Sequence, residues 1–208
     1  MRYKLVIFDL DGTLADSFPW FTGVLNGVAD RYGFRRGEPH EVETLRGLSA
    51  REMVRHLGVP RWKVPLIANH MRKLKKSALI RLFDGVDRML RGLSAGGLTL
   101  AVVSSDAERN VRATLGPELA ALTAHYGCGA SLFGKAAKFK SMLRRSGYAA
   151  AETITIGDEL RDLEAARSAG IAFGAVTWGY TRPEALRAHM PDEMFNSVHE
   201  ICDRLCGT

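Results

Sequence analysis

The sequence has little of what marks exported, membrane-spanning or thiolate-metal proteins. Cysteine is scarce: Cys128, Cys202 and Cys206 are the three in 208 residues, with no CxxC spacing, which excludes a disulfide framework and the common zinc signatures. The four-residue step from Cys202 to Cys206 puts both on one face of a C-terminal helix, where partly buried thiols are the ordinary reading. Long apolar runs are missing as well. "MRYKLVIF" is stopped by Asp9, far short of a signal-peptide core or a spanning helix, so the expectation is a cytoplasmic protein that does not associate with membranes. Repeats and low-complexity tracts are absent, and His56, His70, His125, His189 and His199 share no ligand spacing.

What is present is the composition of a globular protein, 46% hydrophobic and 25% charged. That is enough for one well-packed domain, or one domain carrying a smaller insert. The net charge of +6 is unevenly placed: residues 17–84 hold 13 Lys and Arg against 6 Asp and Glu, while the remainder has a net charge of −1. The basic segment lacks aromatic interleaving or a recognition helix. "HMRKLKKSALIR" (70–81) therefore reads as a solvated helix face, and nucleic acid is not the expected partner.

Hydrophobic periodicity divides the chain. Residues 4–8 read as a buried strand. Helical patterns follow over 18–32, 41–57, 62–70 and 70–83, punctuated by Gly33, Gly37, Gly47 and "GVP" at 58–60, with no strand-like run between them. From residue 83 strands and helices alternate: helix 86–95, strand 98–104, helix 107–115, strand 123–127, helix 136–146, strand 152–157, helix 159–169 and strand 171–177. Continuous apolar strands alternating with helices predict a Rossmann-like parallel sheet with helices on both faces. The helical block after the first strand predicts an all-helical cap at 17–83, inserted into an α/β core made of 1–16 and 84–208.

Three of the predicted strands end in polar residues: "VIF" in Asp9, "AVV" in Ser104 and Ser105, and "ITI" in Gly157 and Asp158. In an open α/β sheet these ends face one crevice. Asp9 and Asp11 share a strand face, and Asp162 lies one helical turn beyond Asp158. So many carboxylates aimed at one place repel each other, and an all-oxygen donor set favours Mg²⁺ over zinc. Taken singly, Asp9 also reads as a turn residue and Asp158 as a helix cap. A metal site with a free carboxylate beside it suits phosphoryl transfer, one acid attacking phosphorus and another serving the leaving oxygen.

"DLDGTLADS" (9–17), "VVSSD" (102–106), "FGKAAKFK" (133–140) and "GDELRD" (157–162) resemble, in order, the four motifs of the haloacid dehalogenase-like hydrolase superfamily. The likeness covers nearly the whole chain. "LRGLS" (45–49), "FDGV" (83–86) and "AGIAFGAVTWGY" (169–180) are similar to its phosphoglycolate phosphatase group. The resemblance implies Asp9 as nucleophile, Asp11 as general acid and base, Ser104 as a phosphate-binding hydroxyl and Lys135 as the cation on phosphate and nucleophile. It implies Mg²⁺ held by Asp9, Asp158 and the Asp11 carbonyl, with Asp162 in support. Asp11 argues against the dehalogenase branch, which lacks that acid. A phosphosugar mutase and a non-catalytic phosphate-binding protein remain as alternatives to a phosphomonoester hydrolase.

Lesser roles follow. Gly12 lets the chain turn without a Cβ near substrate. Thr13 bonds the turn or Asp9, and Ser105 offers phosphate a backbone N–H. Asp106 caps the next helix, Trp178 to Tyr180 belong to the core wall, and Lys138 is a solvated helix lysine. The basic helical block implies a small anionic phosphomonoester, 2-phosphoglycolate first, with sugar phosphates or nucleotides as the alternative. Monomer or weak homodimer is the expected state.

Overall fold

Four apolar residues, Leu5–Phe8, form β1 at the centre of the sheet, and all four are buried. A strand covered on both faces has no use for polar alternation, which is why the run is continuous. The computed structural model describes residues 2–46, 48, 50–76, 78–129 and 134–207. Around β1 lie β4 (Thr99–Val103), β5 (Thr123–Gly127), β6 (Thr153–Gly157), β7 (Ala172–Val176) and β8 (Glu193–Phe195). Their order is β5-β4-β1-β6-β7-β8, all parallel. Phe8 is level with Val102 on one side and Ile156 on the other, so β1, β4 and β6 end together. The order reverses at β1, where such sheets leave a crevice at the carboxyl ends.

The two faces of the sheet are sorted residue by residue. Val6, Phe8, Leu100, Val102, Ile154 and Ile156 face one core, closed by α5 (Val86–Ala95), α6 (Glu108–Leu122) and α10 (Val198–Cys206). Leu5, Ile7, Ala101, Val103, Phe173 and Ala175 face the other, closed by α7 (Gly134–Ser146), α8 (Leu160–Ala169) and α9 (Pro183–Ala188). Strand geometry alone separates the two sets, since neighbours point to opposite faces. Cys202 and Cys206 sit on α10 with sulfurs 3.8 Å apart.

Between β1 and β4 the chain is mainly helical: α1 (Phe18–Tyr32), α2 (Val42–Arg46), α3 (Ala50–His56) and α4 (Val64–Lys75). Leu25, Leu45 and Leu57 form a small apolar cluster there with Phe21, Phe34 and Met53. Several expectations are corrected in this segment. The single helix over 41–57 is broken: a 3₁₀ turn at Pro39–Glu41, where proline fixes the first turn, precedes α2, and α3 is separate. The helices over 62–70 and 70–83 are one helix, α4, preceded by a 3₁₀ turn at Arg61–Lys63. A two-residue antiparallel ribbon, β2 (Ala15–Asp16) with β3 (Arg81–Leu82), joins the two ends of the segment. It is too short to leave a period in the sequence. Gly47 and Ser49 of "LRGLS", and Phe133 of the third motif, lie outside the described residues.

Elsewhere α6 runs past 115, kinked where Gly116 leaves helical geometry before Pro117, and α9 and β8 were not foreseen. Among the described residues no helix is long and apolar enough to cross a membrane.

Candidate active site

The turn after β1 is built on two residues. Leu10 O accepts the N–H groups of Leu14, at 2.9 Å, and Ala15, at 2.8 Å, while Gly12 takes φ +75°. A Cβ on Gly12 would strike the Asp158 carboxylate, whose Cγ would lie at 2.7 Å. Glycine is therefore required twice over, by the left-handed turn and by the close approach. Gly179, from the loop after β7, presses on Asp158 from the other side, where a Cβ would lie 2.6 Å from its Cγ.

Asp158 follows β6 and has no solvent exposure. Its Oδ1 accepts from Thr13 Oγ1 at 3.0 Å and its Oδ2 from the Tyr180 N–H at 2.8 Å. Thr13 thus orients Asp158 and not Asp9, which corrects the expectation for that hydroxyl. Asp9 is also buried. Its Oδ1 accepts from the Leu10 N–H at 2.8 Å and its Oδ2 lies 2.6 Å from Lys135 Nζ. The same ammonium is 2.6 Å from Asp162 Oδ1, so Lys135 bridges Asp9 and Asp162. The N-terminal edge of α7 disfavours a cation; these two carboxylates offset that cost.

Ligand atoms of Asp9, Asp158 and Asp162 lie within 4.8 Å of one another. Burial pushes the Asp158 carboxyl well above the usual carboxylate range, and the charges of Glu159, Asp9 and Asp162 push the same way. Burial lifts Asp162 to about 7 despite the pull of Lys135. Asp9 goes the other way. Burial raises it, but Lys135, Arg161 and the Leu10 N–H together hold it below its ordinary value. One acid is thus kept ionised beside two whose charged forms are disfavoured until a cation offsets their burial and mutual repulsion. The residues fit a hard divalent cation: every donor is a buried carboxylate oxygen, and Asp162 Oδ2 has no hydrogen-bond partner among the described residues. Gly157 leaves room for that oxygen, which would lie 2.7 Å from a Cβ there.

Ser104, directly after β4, is 1% exposed, and its Oγ accepts the Asp106 N–H at 3.1 Å. Ser105 is exposed at the crevice. Lys138 is not solvated as expected; its Nζ donates to the carbonyls of Ser104 at 2.6 Å and Gly129 at 2.5 Å, and burial lowers its pKa. Asp106 is not the cap of α6: that position is Ala107, and the Asp106 carboxylate is turned to Lys75. It is buried, and burial raises its pKa although Lys75 opposes the rise.

Lys75 comes from the last turn of α4. It lies 2.5 Å from both carboxylate oxygens of Asp11 and 2.6 Å from Asp106 Oδ2. Asp11 therefore stands apart from the Asp9–Asp158–Asp162 cluster in its side-chain contacts. A cavity of about 510 Å³ opens here, lined on the sheet side by Asp11, Asp106, Glu159 and Arg161 and on the helical side by Phe18, Trp20, Phe21, Met71 and Lys75. Tyr180 lines it too, with its hydroxyl 2.5 Å from Ser17 Oγ, whereas Trp178 Nε1 is spent on the Thr13 carbonyl at 3.1 Å. The sequence reading missed Lys75, Asp106 and Arg161 as site residues. Only the charge run at 72–76 hinted at the first.

The fold and site define a doubly wound α/β protein with an acid cluster and a bridging lysine at the switch point of its sheet. Residues 6–176 match the model of the haloacid dehalogenase-like hydrolase family, and the chain belongs to that family. It is 31% identical over 201 residues to a phosphoglycolate phosphatase of Synechococcus elongatus, spanning 95% of each chain. It is 27% identical to a 5'-nucleotidase of Pseudomonas aeruginosa, over 92% of this chain and 90% of that one. A haloacid dehalogenase-like hydrolase structure from Streptococcus pneumoniae shares the fold with a TM-score of 0.84 at 20% identity, covering 98% and 99% of the two chains. Within the family the chain is phosphoglycolate phosphatase-like, and its enzyme class is phosphatase.

Proposed function

We propose that this phosphatase hydrolyses a small anionic phosphomonoester through a phosphorylated Asp9, with Mg²⁺ as its cofactor and residues 17–83 acting as a cap over the core. The observation that carries the reading is the contrast between Asp9, held ionised by Lys135 at 2.6 Å, and Asp11, which faces the cavity from the same turn. Asp9 attacks phosphorus, the bond to the leaving oxygen breaks, and Asp11 gives that oxygen its proton. Water then attacks the acyl phosphate, Asp11 takes the proton back, and orthophosphate leaves with Asp9 restored. Ser104, the Ser105 N–H and Lys135 are assigned to the phosphoryl oxygens, with Arg161 as a further cation on that side.

Asp9, Asp158 and Asp162 would hold the metal, together with the Asp11 carbonyl, while Gly12, Thr13 and Gly157 shape the turn and strand end around them. When bound, Mg²⁺ neutralises phosphate charge and the mutual repulsion of the acids. Thr13 and the Tyr180 N–H keep Asp158 aimed at it.

The similarity to a phosphoglycolate phosphatase makes 2-phosphoglycolate the first substrate to test. A second reading, a nucleotide or sugar phosphate, is favoured by the size and aromatic lining of the cavity. Release of inorganic phosphate from an aryl phosphate, with Mg²⁺ and with EDTA, tests the reaction. Turnover that survives complete metal removal would reject it, and a panel of the named substrates compared by kcat/KM ranks the two readings.

A further inference from the structure

We infer that Lys75 is the residue that reads the leaving group, exchanging one of its carboxylate partners for a negatively charged oxygen of the substrate. The inference rests on the phosphatase reading and deepens it.

Lys75 is only 11% exposed and is shared between Asp11, through both oxygens, and Asp106. Asp106 is fixed from behind. Its N–H donates to Ser104 Oγ and its carbonyl accepts the Gly129 N–H at 2.6 Å. The Asp11 side chain is 24% exposed against 8% for that of Asp106, so of the two partners Asp106 is the more tightly enclosed and Asp11 the one with room to turn. Proton transfer requires it to turn: an oxygen now facing Lys75 has to face the leaving oxygen instead. In every turnover the ammonium gives up at least one charge-assisted hydrogen bond.

What replaces that bond is set by the wall around it. In the part of the cavity built by residues 18–75, Arg72 and Lys75 are the charged groups and both are cations; the acids Asp11, Asp106 and Glu159 all come from the sheet side. Among the described residues the other side chains of that wall are apolar and accept no hydrogen bond, and the Ser17 hydroxyl beside it is paired with Tyr180. A substrate with a carboxylate or second anionic group beside the leaving oxygen restores the lost partner, whereas a neutral one leaves the ammonium short of an acceptor. The difference is felt as Asp11 engages the leaving oxygen, so it acts on substrate choice. A bridge serving only to pin α4 to the core would not need the proton-transfer residue as its partner.

The test uses binding, so that it does not depend on turnover. Asp9→Asn protein with Mg²⁺ is titrated calorimetrically with 2-phosphoglycolate, the anionic-tail ligand, and with 2-hydroxyethyl phosphate, its counterpart with a hydroxyl in place of the carboxylate. The expected preference for the anionic ligand is about tenfold or more in Kd, about 1.4 kcal/mol. Adding Lys75→Met is expected to bring the two ligands within about threefold, and Lys75→Arg to keep most of the preference. Adding Asp106→Asn frees the ammonium and is expected to tighten the anionic ligand alone, an effect that loss of a structural bridge would not produce. If Lys75→Met does not fold, the Asp106→Asn result decides by itself. A preference that survives Lys75→Met, or an Asp106→Asn change that weakens both ligands alike, overturns the proposal. Wild-type phosphate release is measured in parallel. Its absence would sink the phosphatase reading, while the binding ratio still judges Lys75.

Discussion

Lys138 Nζ donates to the carbonyl oxygen of Ser104 at 2.6 Å, while Lys135, one turn earlier on α7, reaches the Asp9 carboxylate at 2.6 Å. Two lysines at helical spacing thus have different partners: Lys135 faces carboxylates and is the one proposed to meet phosphate, while Lys138 ties down the backbone that carries Ser104. Lys135→Ala is expected to cost about 10²-fold or more in kcat/KM, in line with loss of an electrostatic stabiliser. Lys138→Ala is expected to act first on stability, by about 1.5–3 kcal/mol for hydrogen bonds to a charged group. Thermal unfolding beside kcat/KM separates the two. If Lys138→Ala lost more activity than Lys135→Ala in fully folded protein, Lys138 would be the lysine on phosphate.

Asp9→Asn is nearly isosteric and removes the proposed nucleophile together with the charge facing Lys135. It is expected to abolish turnover while the protein stays folded. Asp11→Asn is expected to slow both formation and breakdown of a phosphorylated enzyme. Rapid acid quenching and peptide mass mapping of the wild type locate the phosphoryl group. A label on any residue but Asp9 would overturn the assignment.

The acids of the site were legible because each sits where an apolar run stops: Asp9 after "LVIF" and Asp158 after "TITIG". Parallel strands buried on both faces leave continuous apolar runs, so five strands of the main sheet, β1, β4, β5, β6 and β7, could be read. β8 could not, since Glu193 and Met194 are only partly buried and three residues carry no pattern. Lys75 was missed for a related reason. One lysine in a run of cations looks like a solvated face, and only the placement of α4 against Asp11 and Asp106 gives it partners. The same holds for Lys138, whose partners are carbonyl oxygens and leave no trace in side-chain sequence. Thr13 could be assigned to the turn but not to Asp158, which lies 145 residues away in the chain.

Removing the metal should be visible without an assay of activity. Asp9, Asp158 and Asp162 are buried together, and burial with mutual repulsion raises the carboxyls of Asp158 and Asp162. A divalent cation that binds only the folded protein stabilises it by mass action. Adding Mg²⁺ to EDTA-treated protein at neutral pH is expected to raise Tm in a concentration-dependent way. Asp158→Asn is expected to remove most of that rise. An equal rise in the variant would place the cation elsewhere.

The helical segment carries a separate acid-sensitive clasp. Glu41 accepts from Arg35 Nη1 at 2.8 Å and Nη2 at 3.0 Å, from the Glu38 N–H at 2.9 Å, and faces His56 Nε2 at 3.0 Å. The Arg35 guanidinium first, and then the Glu38 N–H, hold the Glu41 carboxyl down to about 2 from an ordinary 4.5. A carboxyl whose folded pKa lies below its unfolded one binds fewer protons when folded. Its contribution to stability is therefore complete above about pH 4.5 and is lost as pH falls toward about 2. Arg35 is exposed, so solvent and salt screen the pair and the effect is modest. Glu41→Gln is expected to lower Tm at pH 7, with the gap from wild type closing between about pH 4.5 and 2 and shrinking in high salt. A gap that stays constant across that range would mean that Glu41 acts through packing and neutral hydrogen bonds, with its charge contributing nothing.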